Sequence, residues 1–85
     1  MLYRILTEHK RRDKIIGIVA GQFNSFTLID GLGYWKGKPE KALIIEIAAG
    51  ISERETIAEL CRTINRVNAQ ECTLLQEVEC RSTLI

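Results

Sequence analysis

Aromatic side chains make up only 6% of this 85-residue sequence, and there is one Trp, one Pro, one His and one Met. So few rings, with no paired ribonucleoprotein-type motifs, argue against a surface that stacks RNA bases. No apolar run approaches the roughly 20 residues of a membrane-spanning helix. Met1-Leu2-Tyr3-Arg4 also lacks the charged-then-apolar order of a signal peptide, so the expectation is a soluble cytoplasmic protein that does not meet a membrane. Neither charge sign dominates: 12 Lys and Arg face 11 Asp and Glu, a net +1 that supplies no global field for nucleic acid. Cysteine is scarce and unpaired in pattern. Cys61, Cys72 and Cys80 form no Cys-x-x-Cys, and with His9 the only imidazole they fit neither a disulfide framework nor a metal site. Free thiols in a reducing compartment are expected.

What is present is apolar enough to fold: 46% hydrophobic and 27% charged residues describe one domain over residues 1–85. A chain this short buries only roughly 60–70% of its unfolded surface, which points towards an oligomer. The charge is unevenly spread. Residues 1–41 hold 8 basic and 4 acidic side chains, and residues 42–85 hold 4 and 7. The basic excess lies in Lys10-Arg11-Arg12 with Lys14, and in Lys36, Lys38 and Lys41.

Periodicity orders the chain. Leu2 to Thr7 reads as a strand, with Leu2 and Leu6 on one face and Tyr3 and Ile5 on the other. Ile15, Ile16, Val19 and Phe23 repeat at helical spacing over 11–23, weakened by Gly17 and Gly21, and Asn24-Ser25 ends the helix. A second strand begins at Phe26 and runs through Trp35, residues 36–40 supply the turn, and Ala42 to Ile47 forms a third strand antiparallel to it. Ser52-Glu53-Arg54-Glu55 fits a capping box ahead of the stripe Ile57, Leu60, Cys61, Ile64 and Val67. Asn68-Ala69-Gln70 closes that helix, and Cys72 to Val78 is the last strand.

The order strand, helix, strand, strand, helix, strand is an α+β, ferredoxin-like βαββαβ arrangement. Right-handed crossovers place both helices on one face of a four-stranded antiparallel sheet. The other face is then bare, yet the first and third strands carry apolar residues on both sides. Such a face is expected to meet protein, and Leu84-Ile85 is expected to dock on a neighbour as well.

One segment concentrates residues that strands avoid: Gly31-Leu32-Gly33-Tyr34-Trp35-Lys36-Gly37-Lys38. Glycines there allow close approach, Tyr34 and Trp35 can stack on a ring, and Lys36 or Lys38 can neutralise an anion. The same residues also suit a twisted hairpin whose aromatics cover the core edge. Catalytic candidates are sparse. His9, Asp30 and Glu46 are the only testable acids or bases, and no two have a spacing that promises a shared site, so a binding protein is expected rather than an enzyme.

Gly31-x-Gly33-x-x-Lys36-Gly37, after Phe26-Thr27-Leu28-Ile29 and before Leu43-Ile44-Ile45-Glu46-Ile47, resembles the stretch of PII-type nitrogen signalling proteins around their long loop. Trp35-Lys36-Gly37-Lys38 resembles the matching hairpin of CutA-type proteins. The resemblance implies a homotrimer with sheets facing inward and a small ligand, such as an adenine nucleotide or small anion, in the clefts between subunits. It would place Gly31 and Gly33 where the ligand approaches and Lys36 and Gly37 near its phosphates. Two departures stand out. Trp35 replaces a glutamine that helps hold metal and metabolite in that family, and the partner-binding loop shrinks to about Lys38-Pro39-Glu40-Lys41. The family's glycine-rich phosphate loop is also missing, since Asn68-Ala69-Gln70-Glu71-Cys72 has no glycine. A small-ligand sensor, possessing a protein target, is the first reading. A structural adaptor that has lost its ligand is the second, and an RNA-binding module the third.

Overall fold

Strict alternation in β1, Leu2–Glu8, sends Tyr3, Ile5 and Thr7 inward and leaves Leu2, Arg4, Leu6 and Glu8 only half-buried on the other side. The computed structural model describes all 85 residues. After β1 come α1, Arg12–Ala20, then β2, Thr27–Trp35, and β3, Lys38–Ala48. A single 3-10 turn, Ile51–Glu53, leads into α2, Arg54–Asn68, and β4 is Leu74–Val78. All neighbouring strands are antiparallel in the order β2-β3-β1-β4. This is the expected α+β ferredoxin-like arrangement.

The core forms where the inward residues of β1 and β3 face each other in register, Tyr3 opposite Ile47 and Ile5 opposite Ile45. Ile15 and Val19 of α1 and Ile57, Leu60, Cys61 and Ile64 of α2 pack onto them. Each fully buried aliphatic side chain there contributes about 1.5–3 kcal/mol. The helices therefore share one side of the sheet, and no element crosses the other. The Tyr3 hydroxyl donates to the Gly50 carbonyl at 2.9 Å, so the one polar atom on this core ring is satisfied. No helix is long and apolar enough to cross a membrane.

Several boundaries differ from the sequence reading. Helix α1 stops at Ala20 rather than Phe23, with Gly21 as its C-cap, although the Gln22 and Phe23 amides still bond the Val19 carbonyl. Ser52 caps nothing: it lies inside the 3-10 turn, and the first residue of α2 is already beyond it. A backbone bond from Glu53 to the Gly50 carbonyl takes over the chain reversal that the capping box was expected to make. Strand β4 begins at Leu74 because the Gln70 side chain holds the Cys72 carbonyl at 2.7 Å and Thr73 is drawn to Asn65.

The largest correction concerns the hairpin. Its turn is two residues, Lys36 and Gly37, both with positive φ (52° and 77°), as the right-handed twist of paired strands favours. Lys38, Pro39, Glu40 and Lys41 are therefore strand, not loop, and pair with Trp35, Tyr34, Gly33 and Leu32. Pro39 is tolerated because β1 has already ended, its last pair being Glu8 with Ala42, so on that side β3 is an edge. The terminal Leu84 and Ile85 are fully exposed and pack on no part of the chain.

Candidate functional site

The pleat decides which residues reach the bare side of the sheet. Leu2 and Leu6 of β1, Ile29 of β2, Ile44 of β3 and Leu74 and Val78 of β4 share it. Ile29 is 41% exposed and Leu74 55%, a large apolar area for a chain that buries 13 residues in all. At its centre Arg4 donates to Glu46 at 2.8 Å. This pair is the only ionic interaction bridging the middle of β1 and β3.

At one end of this face Trp35 stands beside a shallow hollow of about 180 Å³. Gly33 and Ala42 line it, with Leu6 and Leu74 from β1 and β4 and Cys72 from the loop before β4. A Cβ on Gly33 would sit 3.8 Å from the Ala42 Cβ, an ordinary contact, so the glycine leaves room without being strained. Trp35 also lines a second hollow of about 260 Å³ with Glu8, Lys10, Glu40, Gln70 and Glu71. The two hollows share Glu8, Trp35, Glu40 and Cys72.

The expected site residues are thus divided. Gly33, Tyr34 and Trp35 line the first hollow, while Lys38 lines neither. Gly31 does a different job. A Cβ there would come within 3.3 Å of the Ile44 Cδ1, so its missing side chain makes room for Ile44. Lys36 and Gly37 make the turn, and the Lys36 ammonium is held 5.9 Å from the centre of the Trp35 ring and 3.9 Å from Glu71. Lys36 is therefore partnered within the chain.

The α2–β4 loop, residues 69–73, reaches the site because a polar network pins it to β1. The Thr7 hydroxyl donates to the Gln70 Oε1 at 2.8 Å, and the Asn68 amide donates to the same oxygen at 3.0 Å. The Gln70 amide nitrogen in turn donates to Asn65 and to the Cys72 carbonyl. Satisfied buried amides of this kind hold a loop without glycine. The Asn68 Oδ1 is the one buried side-chain oxygen left without a partner.

Sequence reasoning missed Leu6, Glu8, Glu40, Glu71, Cys72 and Leu74, which come from three separate segments. The β1–β3 register signals the first three, since Glu8 pairs with Ala42 two residues from Glu40. The position of Glu71 depends on the Gln70 network and has no local signal. His9 and Asp30 also meet, with His9 Nε2 3.1 Å from Asp30 Oδ1, although their separation of 21 residues suggested no shared site. His9 follows the end of β1 and Asp30 lies within β2, across β3 from it, and no cysteine or serine lines the hollow beside them. The third acid–base candidate, Glu46, is engaged by Arg4. No group of three or more His, Cys, Asp or Glu side chains is placed to hold a metal ion.

The fold is similar to that of a solved DUF3240 family protein from Shewanella baltica OS155, with a TM-score of 0.77 and 14% identity over 99% of this chain and 94% of that one. At this identity the likeness concerns the fold alone. No protein-family model matches the sequence, and no curated protein matches it.

Proposed function

We propose that this chain is a small regulatory binding module that works in the PII-like manner: three copies cover one another's bare sheet faces, and a small ligand enters the cleft beside the Trp35 hairpin. The observation that carries this reading is the apolar side of the sheet, where Leu2, Leu6, Ile29, Ile44, Leu74 and Val78 lie together with no element of the chain across them. Apolar patches of this extent on a small domain mark association sites. The helix-free face also carries a matched pair of charges rather than a single sign, which suits a surface that meets its own copy.

The PII-like and CutA-like character is part of this proposal, resting on the Gly31 to Lys38 motif and the element order. The adaptor reading has its own support in Tyr34 and Trp35, 69% and 49% exposed at the end of a protruding hairpin, where rigid aromatics anchor a protein partner. Trp35→Ala separates the two. A sensor keeps its assembled mass and loses the rise in melting temperature produced by its ligand in a panel of adenine nucleotides, dicarboxylates, amines and divalent ions. An adaptor loses the assembly itself. An assembled wild-type protein whose melting temperature no member of the panel moves overturns the sensor reading.

A further inference from the structure

Of the charged residues that line the two hollows beside Trp35, all but Glu40 and Lys41 have a partner. Glu8 has the Lys10 ammonium at 3.2 Å, and Glu71 has the Lys36 ammonium at 3.9 Å. Glu40, half-buried and lining both hollows, takes part in no ion pair or side-chain hydrogen bond. Lys41 follows it in the chain, but the pleat turns successive side chains of β3 to opposite faces. Lys38 shares the face of Glu40 and lines neither hollow.

From this arrangement we infer that the Trp35 hollow takes an organic ammonium group on an apolar body, with the cation between the Trp35 ring and Glu40 and the body against Leu6 and Leu74. This rests on the reading that the hairpin cleft binds a small ligand, and names the class of that ligand. Three features support it. An indole face attracts cations through its quadrupole, and the chain already shows this by placing the Lys36 ammonium 5.9 Å from the ring centre beside a carboxylate. A carboxylate without a counter-ion gains most from a cation brought into a partly desolvated hollow. An anion in the same place meets Glu40, while Lys10 and Lys36 are already engaged and the unpaired Lys41 stands on the opposite face of β3 from Glu40.

Trp35 is the only tryptophan, so its fluorescence reports on the hollow directly. The wild-type protein is titrated with phenethylammonium, with the neutral phenylethanol and with phenylacetate, which share one ring and differ in charge. The inference predicts saturable change with phenethylammonium at a concentration at least about tenfold lower than with phenylacetate, a difference of about 1.4 kcal/mol. It also predicts that Glu40→Gln, checked as folded by circular dichroism and thermal melting, removes the preference. Equal or tighter binding of phenylacetate overturns the cation assignment and leaves a ligand-binding cleft standing. A cation preference that Glu40→Gln does not alter overturns the role given to Glu40. No binding of any probe overturns both the inference and the cleft reading on which it rests.

Discussion

Arg4 and Glu46 stand directly opposite each other on β1 and β3, and the guanidinium Nε lies 2.8 Å from the carboxylate in the middle of the helix-free sheet face. In a single chain the two side chains are 37% and 22% exposed, so solvent screens them and removing one partner costs less than about 1 kcal/mol. Under a second copy the same removal leaves an unpaired buried charge, at a cost of about 3–5 kcal/mol. Glu46→Gln is therefore expected to dissociate the assembly, and Arg4→Met with Glu46→Leu to keep it. Sedimentation velocity on the single and double variants checks this; equal masses for all three proteins contradict it.

The hairpin turn predicts opposite outcomes for two glycines. Gly37 has φ +77° with open space around its missing Cβ, so Gly37→Ala meets no clash and pays only for the left-handed backbone, about 1–2 kcal/mol. Gly17 sits exposed in the middle of α1, also with nothing near, and Gly17→Ala is expected to stabilise by up to about 1 kcal/mol. Urea unfolding midpoints measure both. A stabilising Gly37→Ala would show that the turn is not of the left-handed kind.

Much of this was readable in advance, and the reason is physical. Period-two alternation in Leu2–Glu8 and Ala42–Ala48 and the 3.6-residue stripe Ile57, Leu60, Cys61, Ile64 report burial directly, because a residue's face follows from its position in the element. The two-sided strands also announced the apolar outer face. Where the reading failed, the deciding contacts were non-local. The length of the turn depended on strand pairing that extends past Pro39, and the start of β4 on Gln70 holding the Cys72 carbonyl while it bonds Thr7, 63 residues earlier. Of the two lysines read as anion binders, Lys36 was matched by Glu71 only once the α2–β4 loop was brought to the hairpin.

That loop supplies another prediction. Gln70→Ala removes the acceptor shared by the Thr7 hydroxyl and the Asn68 amide, residues 5% and 1% exposed, and leaves them only the long 3.4 Å bond from Asn68 to the Thr7 hydroxyl. Unsatisfied buried polar groups cost about 1–3 kcal/mol each. A fall in stability within that range is expected, together with faster amide exchange over residues 69–73, read by hydrogen–deuterium exchange. Unchanged exchange there would mean that the loop is held by something else.

Burial pushes the Cys61 thiol up to about 11, slightly opposed by the Arg62 charge, while Cys72 and Cys80 are exposed. Iodoacetamide at pH 8 is expected to modify two cysteines of the folded protein quickly and the third only after unfolding, as counted by mass spectrometry. The stability consequence has a definite sign. An unfolded Cys61 loses its proton near pH 9 while the folded one keeps it, so this contribution is complete below about pH 9 and fades as pH rises towards 11. Cys61→Ala should lose that part of the alkaline slope. Rapid alkylation of all three thiols in the native protein contradicts the packing described for α2.

The most direct measurement is the solution mass of the unmodified protein by light scattering, beside that of Ile44→Glu, which sets a lone carboxylate in the apolar face. A single species of about three times the 9.7 kDa chain mass, falling to one chain mass in the variant, is the predicted result. A wild-type protein that is monodisperse at 9.7 kDa at high concentration contradicts the account, because its outer sheet face would then be stable in water as it stands.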